Sequence, residues 1–409
     1  MLKRFLIIGS LGVVFSLAAC GQATTPAPTA PSVFTLAPTS TQTAIPTETT
    51  TPTSTPTEVP TTTPTVTPAP VVYGPKDFPE GINPLTGLQV ADPTILDRRP
   101  VAVKVNIVPR TTNRPPWGIS FADIVYDYYH NAGYNRFHAI FYGEDADLVG
   151  PIRSARLLDN ELVRMYQSVL AYGFADQIIN SRMVNSEYAN RLILEGQQVD
   201  CPPTAKTPMC RYEPSGSDFL LGNTASMTEY VKNKGVTTEG MDLTGMYFTA
   251  QSPSGGEPAE QIYIRYSGDD YVRWDYDSGS GKFLRFQDNV YDQGQGEEYA
   301  PLLDRVNNQQ VAAENMVVLY VRHEYFRQPP GEIVDILLSG TGKAVAFRDG
   351  QAFQVNWNRA NINSVLTLSQ ADGSPFPFKP GKTWFQVIGQ TSTMTQPTPE
   401  TWRFQFVIP

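Results

Sequence analysis

Runs of lysine or arginine are missing from this 409-residue chain, and 31 basic against 40 acidic residues leave it at −9. Neutralising phosphates takes a basic face, so nucleic acid is excluded as a partner. Histidine is scarce too. His130, His138 and His323 stand far apart, and neither a Cys-x-x-Cys nor a His-Glu-x-x-His spacing occurs. The sequence therefore offers no metal motif and calls for no cofactor. Gly-x-Ser-x-Gly is also absent, which removes one familiar nucleophile setting. Cysteine is limited to three residues, Cys20, Cys201 and Cys210.

The first twenty residues are a basic Met-Leu-Lys-Arg start, an apolar stretch from Phe5 to Ala19, and Cys20. That order is an export signal, residues 1–20. Leu17-Ala18-Ala19-Cys20 matches the lipobox of bacterial lipoproteins, whose signal peptidase cleaves before a lipid-carrying cysteine. An apolar run of about 15 residues is shorter than the roughly 20 needed to span a bilayer. The expected location is outside the cytoplasm, lipid-anchored through Cys20 to the outer face of the cell membrane.

Residues 21–70 hold 19 Thr and 11 Pro against two charged residues, Glu48 and Glu58. Such a composition buries too little apolar surface to fold, so residues 21–72 read as a disordered tether. In extended polyproline form, at about 3.1 Å per residue, it would reach on the order of 150 Å.

Globular composition begins near Tyr73. Val101-Ala102-Val103-Lys104-Val105-Asn106 is a core strand, and Phe121–Tyr128 and Arg136–Tyr142 are two more. Gly150-Pro151-Ile152-Arg153-Ser154-Ala155-Arg156 then turns into a helical stripe of Leu158, Leu162, Met165, Tyr166 and Val169, with Ser154 as its expected N-cap. A further helical pattern covers Gln177 to Glu195. These features predict a mixed α/β domain over residues 80–245. Cys201 and Cys210 enclose a Pro-rich loop, and outside the cytoplasm the pair reads as a disulfide. Period-two alternation follows in Ile262–Tyr266, Tyr271–Tyr276, Lys282–Phe286, Met316–Val321, Lys343–Phe347, Gln351–Val355 and Thr383–Val387. It predicts a β-rich domain over 260–406, an antiparallel sandwich or barrel. Gly340-Thr341-Gly342-Lys343 lacks the setting of a phosphate loop and reads as a hairpin turn.

The stretches Arg98–Asn106, Ala122–Tyr126, Arg136-Phe137 and Gly150–Arg156, in this order, resemble the YerB-type lipoproteins, a family of unknown function. The resemblance spans roughly residues 80–405 and includes Trp357, Asp372-Gly373 and Pro380–Trp384. It implies a two-domain surface lipoprotein. The sequence departs from the family at Asn131-Ala132-Gly133, where Glu-Gly-Gly is usual, and at Leu221-Gly222-Asn223, where Pro-His-Asn is usual.

Two guanidiniums at a helix entrance oppose the helix dipole, at roughly 0.3 to 1 kcal/mol per cation. Either Glu144, Asp145, Asp147 and Asp159 answer Arg153 and Arg156 internally, or an anionic ligand does. The expected function is a non-catalytic binding or scaffolding lipoprotein of the cell envelope. Its partners would be the membrane, through the anchor, and a cell-wall polymer or an envelope protein. The candidate ligand residues are Arg153, Ser154, Arg156, Arg136, Asn106, Arg114, Trp117 and Tyr126. The alternative is an enzyme on an anionic envelope polymer, with Arg136, Arg153 and Arg156 as the clamp and Asp127 or Asp123 as base.

Overall fold

Every residue of the Val101–Val105 strand is buried, because it lies inside a sheet covered on both faces. The computed structural model describes residues 71–195, 199–213, 219–238 and 240–408. The leader with Cys20 and the tether through residue 70 lie outside them. Val72, expected in the tether, pairs with Thr249 in a short two-stranded ladder.

An eleven-stranded sheet runs, from one edge, through Glu257–Pro258, Gln351–Arg359, Gly340–Arg348, Asn315–Val321, Thr383–Gly389, Ile124–Asn131, Tyr134–Phe141, Val101–Val105, Val169–Tyr172 and Leu192–Leu194, with Thr367–Ser369 paired to Gln351–Arg359. Thr383–Gly389 is parallel to Ile124–Asn131, with Thr383 opposite Ile124 and Val387 opposite Tyr128. Backbone hydrogen bonds thus join the two halves of the chain in one sheet. The first half is mixed and carries the α-helices found among the described residues, while the second is built almost entirely of strands.

A seven-stranded sheet, from Tyr299–Pro301 through Lys282–Asp288, Tyr271–Asp277, Gln261–Arg265 and Thr401–Gln405 to Thr393–Thr398, with Ala312–Ala313 paired to Lys282–Asp288, packs on one face of the larger sheet. Trp384 of the large sheet meets Trp274 of the small one at 5.3 Å between ring centroids. Strand alternation sorts the rest. In Ile124–Asn131 and Tyr134–Phe141, odd residues such as Asp127 and Phe137 face the small sheet. Even residues such as Tyr128 and His138 face the Leu157–Met165 helix on the opposite side.

Two local readings are corrected. Gly340 to Lys343 opens the Gly340–Arg348 strand rather than a turn. The turn is at Asp349-Gly350, whose φ angles of 53° and 68° supply the left-handed backbone that two-residue hairpins require. The helical pattern from Gln177 ends at Val184, and Leu192–Leu194 is an edge strand of the large sheet.

Candidate functional site

The Gly150–Arg156 stretch is a strap across the carboxyl ends of like-directed strands. Asn106 donates its N–H to the Pro151 carbonyl at 3.0 Å, Arg153 to Lys104 at 2.9 Å, and Ala155 to Phe174 at 2.8 Å. Those bonds hold residues 151–155 extended, so the helix cannot start at Ser154. It starts at Leu157, with Arg156 as N-cap. Asp159 Oδ2 accepts the Arg156 N–H at 2.6 Å, the return bond of a capping arrangement. Val101–Val105, Ile124–Asn131, Val169–Tyr172 and Leu192–Leu194 all point their carboxyl ends toward this strap. In open α/β sheets that end is where ligands bind.

Beneath the strap the side chains form two tiers. In the inner tier Asp159 Oδ1 accepts from the Tyr128 hydroxyl at 2.5 Å and lies 2.7 Å from His138 Nδ1 and 3.5 Å from Lys104 Nζ. Lys104, His138 and Asp159 are fully enclosed. Lys104 Nζ sits 3.7 Å from the Tyr128 ring centre and has no hydrogen-bond partner among the described residues. Burial, followed by Arg136 and Arg156, outweighs Asp159 and pushes its pKa down to about 7. Burial alone would raise the Asp159 carboxyl, yet Lys104, His138 and Tyr128 hold it well below the usual carboxylate range.

The outer tier is cationic. Arg136 Nη1 donates to the Ser154 carbonyl at 3.0 Å and its Nε to Asn106 Oδ1 at 3.3 Å. Arg156 Nη1 donates to the Ala155 carbonyl at 2.9 Å, and its Nη2 is 3.3 Å from His130 Nδ1. Among the described residues no carboxylate lies within 4.0 Å of either guanidinium. Burial lowers the pKa of both arginines, and for Arg136 the charges of Arg156 and Arg153 add to it. Burial and the same two cations, Arg136 and Arg156, keep His130 neutral, well below its ordinary value. A β-bulge between Tyr129 and Asn131 gives His130 its extra position at the strand end, a device that re-aims a side chain. Asp176, N-cap of the Gln177–Val184 helix, stands at the rim. It accepts from Arg327 at 2.8 Å and, after Tyr128 and Asp159, opposes the lowering of the Arg156 pKa by burial.

The structure thus brings Arg136, Arg156, Ser154 and Asn106 together. Arg153 shares the strap but is governed by burial and by Arg211 and Glu195. Arg114 stands apart from them in its bonding: it engages Asp288 with two nitrogens and the Ile107 carbonyl with a third, and Arg110 binds the same carboxylate. Trp117 packs with Cys210 and Leu221, with Arg305 over its ring at 4.0 Å, beside the Cys201–Cys210 disulfide. Tyr126 is core, its hydroxyl 2.7 Å from that of Tyr166 and its ring stacked on Phe385. Asp123 accepts from the Tyr142 and Gly143 backbones and from Asn83. Asp127 binds Arg285 on the far face of the sheet. Of the acids expected to answer the strap, Asp145 pairs with Arg98 at 2.6 Å and Glu144 lies 3.7 Å from Lys382.

Lys104, Tyr128, His130 and His138 were not among the candidates from sequence. A signal was present: a lysine inside Val-Ala-Val-Lys-Val has no solvent side in a strand that reads as buried throughout.

Residues 85–218 match the family described as Protein of unknown function (DUF3048) N-terminal domain, and residues 262–385 match its C-terminal domain. Together the matches cover well over half of the chain. A protein of Bacillus subtilis (strain 168) that bears the lipoprotein name YerB is 26% identical over 313 residues, 75% of this chain and 85% of its own length. The crystal structure of the YerB protein from Bacillus subtilis aligns with a TM-score of 0.59 at 24% identity, covering 75% of this chain and 96% of the other. At that identity it speaks to the fold.

Proposed function

The chain belongs to the DUF3048 family, and from that premise we propose that it is a lipid-anchored binding protein of the cell envelope whose strap site takes an anionic group. The leader ending at Cys20 and the lipoprotein name of the Bacillus relative support the anchor. One observation carries the binding reading. Lys104, Arg136 and Arg156 crowd beneath one strap, and the nearest carboxylate, Asp159, is shared with Tyr128, His138 and the helix cap. Arg136 and Arg156 have carbonyl partners but no carboxylate within 4.0 Å among the described residues. A buried cation left without a counter-charge costs several kcal/mol, and an entering phosphate or carboxylate would relieve that cost. Arginine forks suit both groups. The enzyme alternative loses its proposed bases, since Asp123 and Asp127 are committed elsewhere.

The test is thermal unfolding of the full chain with and without inorganic phosphate, on wild type, Arg136→Met and Arg156→Gln. Phosphate should raise the wild-type melting temperature. The variants should melt no lower than wild type without phosphate and should lose the shift. A wild type indifferent to phosphate, or variants that both keep the shift, would sink the reading.

A further inference from the structure

The like-directed strands that point their carboxyl ends at the strap have their amino ends on the opposite side of the sheet. Val101–Val105, Val169–Tyr172 and Leu192–Leu194 lie side by side there, with Val101 opposite Val169 and Leu170 opposite Leu192. That register brings together Arg99, Gln167 and Arg191, which stand just before the three strands. At about 3.3 Å per residue, the strands separate this end from the strap by roughly 15 Å. The three residues line a cavity of about 580 Å³. It shares Gln167 and Asn363 with a second cavity of about 450 Å³, so the two adjoin. Both volumes fall in the range of roughly 300 to 1,000 Å³ that holds small ligands.

Charge in the first cavity is uneven. Arg164 is committed to Glu187, donating to its two oxygens at 2.8 and 3.1 Å. Arg99 donates to the carbonyls of Gln167 and Thr237, at 2.8 and 2.6 Å. Arg191 lies over the Tyr188 ring at 5.4 Å and makes no hydrogen bond to a described residue. Neither Arg99 nor Arg191 has a carboxylate within 4.0 Å among the described residues. Burial lowers the pKa of both, and the charge of Arg99, ahead of the opposing Glu187, helps to take that of Arg191 to about 10. Two cations facing one cavity thus repel each other, and an anion between them would remove the conflict.

Asp242, the acid of the second cavity, is turned onto its own loop, where the Thr244 N–H and hydroxyl donate to it at 3.0 and 2.6 Å. Asn190 and Asn363 are exposed, and their amide side chains bond no described residue. Ile362, 53% exposed, adds apolar surface beside them. No aromatic ring lines either cavity among the described residues. A sugar face therefore finds no platform, whereas the alternating donors and acceptors of a peptide match the amides and its side chains match Ile362.

We infer that this cleft binds a short peptide through its terminal carboxylate. Arg99 and Arg191 take the carboxylate, a partner whose two oxygens suit guanidinium forks. Asn190 and Asn363 bond the peptide groups behind it, and Ile362 packs against a side chain. The inference does not rest on the strap reading, because different residues at the other end of the strands carry it.

The experiment titrates the full chain calorimetrically with acetyl-alanyl-alanine as the free acid and as its carboxamide. Wild type should bind the acid at least about tenfold tighter, the worth of hydrogen bonds to a charged group. Arg191→Gln should bind the acid no better than the amide. Asn363→Asp, an exposed change that brings a carboxylate into the cavity, should weaken the acid far more than the amide and serves if Arg191→Gln does not fold. Arg156→Gln should keep the preference for the acid, and Arg191→Gln should keep the phosphate-induced thermal shift of the strap site. Equal binding of acid and amide by wild type, no binding of either, or a preference that survives in both cleft variants overturns the inference. So does a preference lost in Arg156→Gln, which would move the carboxylate to the strap. The strap reading itself fails or stands on phosphate alone.

Discussion

Asp127 Oδ2 accepts a hydrogen bond from Arg285 Nη2 at 2.8 Å, both side chains enclosed between the two sheets. Asp127 comes from the first half of the chain and Arg285 from the second. Asn135 donates to the other Asp127 oxygen at 2.9 Å, and the Arg285 guanidinium lies 4.6 Å from the centre of the Trp384 ring. An acid with the sequence signature of a general base is therefore a tie between layers.

Removing one partner of an enclosed pair strands the other charge, so Asp127→Ala should lower unfolding stability by roughly 3 to 5 kcal/mol. The double change Asp127→Leu with Arg285→Met should be much milder than the single one, since both charges then leave. Urea denaturation measures both. An Asp127→Ala protein as stable as wild type would show that the pair does not hold the sheets.

Ala132 turns the Ile124–Asn131 and Tyr134–Phe141 hairpin with φ of 53°, followed by Gly133 at 85°. Left-handed backbone at a residue with a Cβ costs roughly 1 kcal/mol, and asparagine tolerates it better. The contacts made here use the Ala132 backbone, whose N–H donates to Glu332. Ala132→Asn should therefore raise stability by about 0.5 to 1 kcal/mol. A melt showing no gain would mean that the turn has another constraint.

These two positions mark how far the sequence was legible. The alternating runs of the second half became strands nearly where their period put them, because each has one face on a core and one in water. The sheet that joins the halves was hidden. Pairing of Thr383–Gly389 with Ile124–Asn131 links segments some 250 residues apart, and a strand's own pattern does not name its neighbour. The strap was legible as Gly-Pro-Ile-Arg-Ser-Ala-Arg. Its start as a helix was misplaced because Lys104 and Phe174 claim the backbone N–H groups of Arg153 and Ala155. Arg114 and Trp117 looked available because a loop rich in Arg, Pro and Trp resembles a recognition loop, whereas Asp288, distant in sequence, neutralises Arg114.

The Cys201–Cys210 bridge closes a short loop, with a separation of 9 residues. Chain entropy assigns such a loop roughly 2 to 3 kcal/mol. Cys201→Ser with Cys210→Ser should lose about that much, and Trp117 fluorescence should report the change, since Trp117 packs with Cys210. Equal stability of the double variant and the oxidised wild type would remove the bridge as a stabilising element.

Lys104 makes the strap site sensitive to pH. Its folded pKa of about 7 lies below the roughly 10.4 of an unfolded lysine. Between those values the unfolded chain binds the proton and the folded chain does not, so the ligand-free protein should gain stability as pH rises from about 7 to about 10. Anion binding runs the other way, because the ammonium attracts the ligand. Sulfate is the suitable probe, since it does not titrate in this range. Its affinity should fall above pH 7, by up to about tenfold per unit if the bound state requires the charged amine. The histidines, the tyrosine and the carboxylate around Lys104 do not compete over that range: burial holds His138 and His130 low, Tyr128 is raised, and Asp159 is held low. Lys104→Met should bind sulfate more weakly at pH 6 and show little slope thereafter. A wild-type affinity that is flat from about pH 6 to 9 would remove Lys104 from the anion site and leave Arg136 and Arg156 to hold the ligand alone.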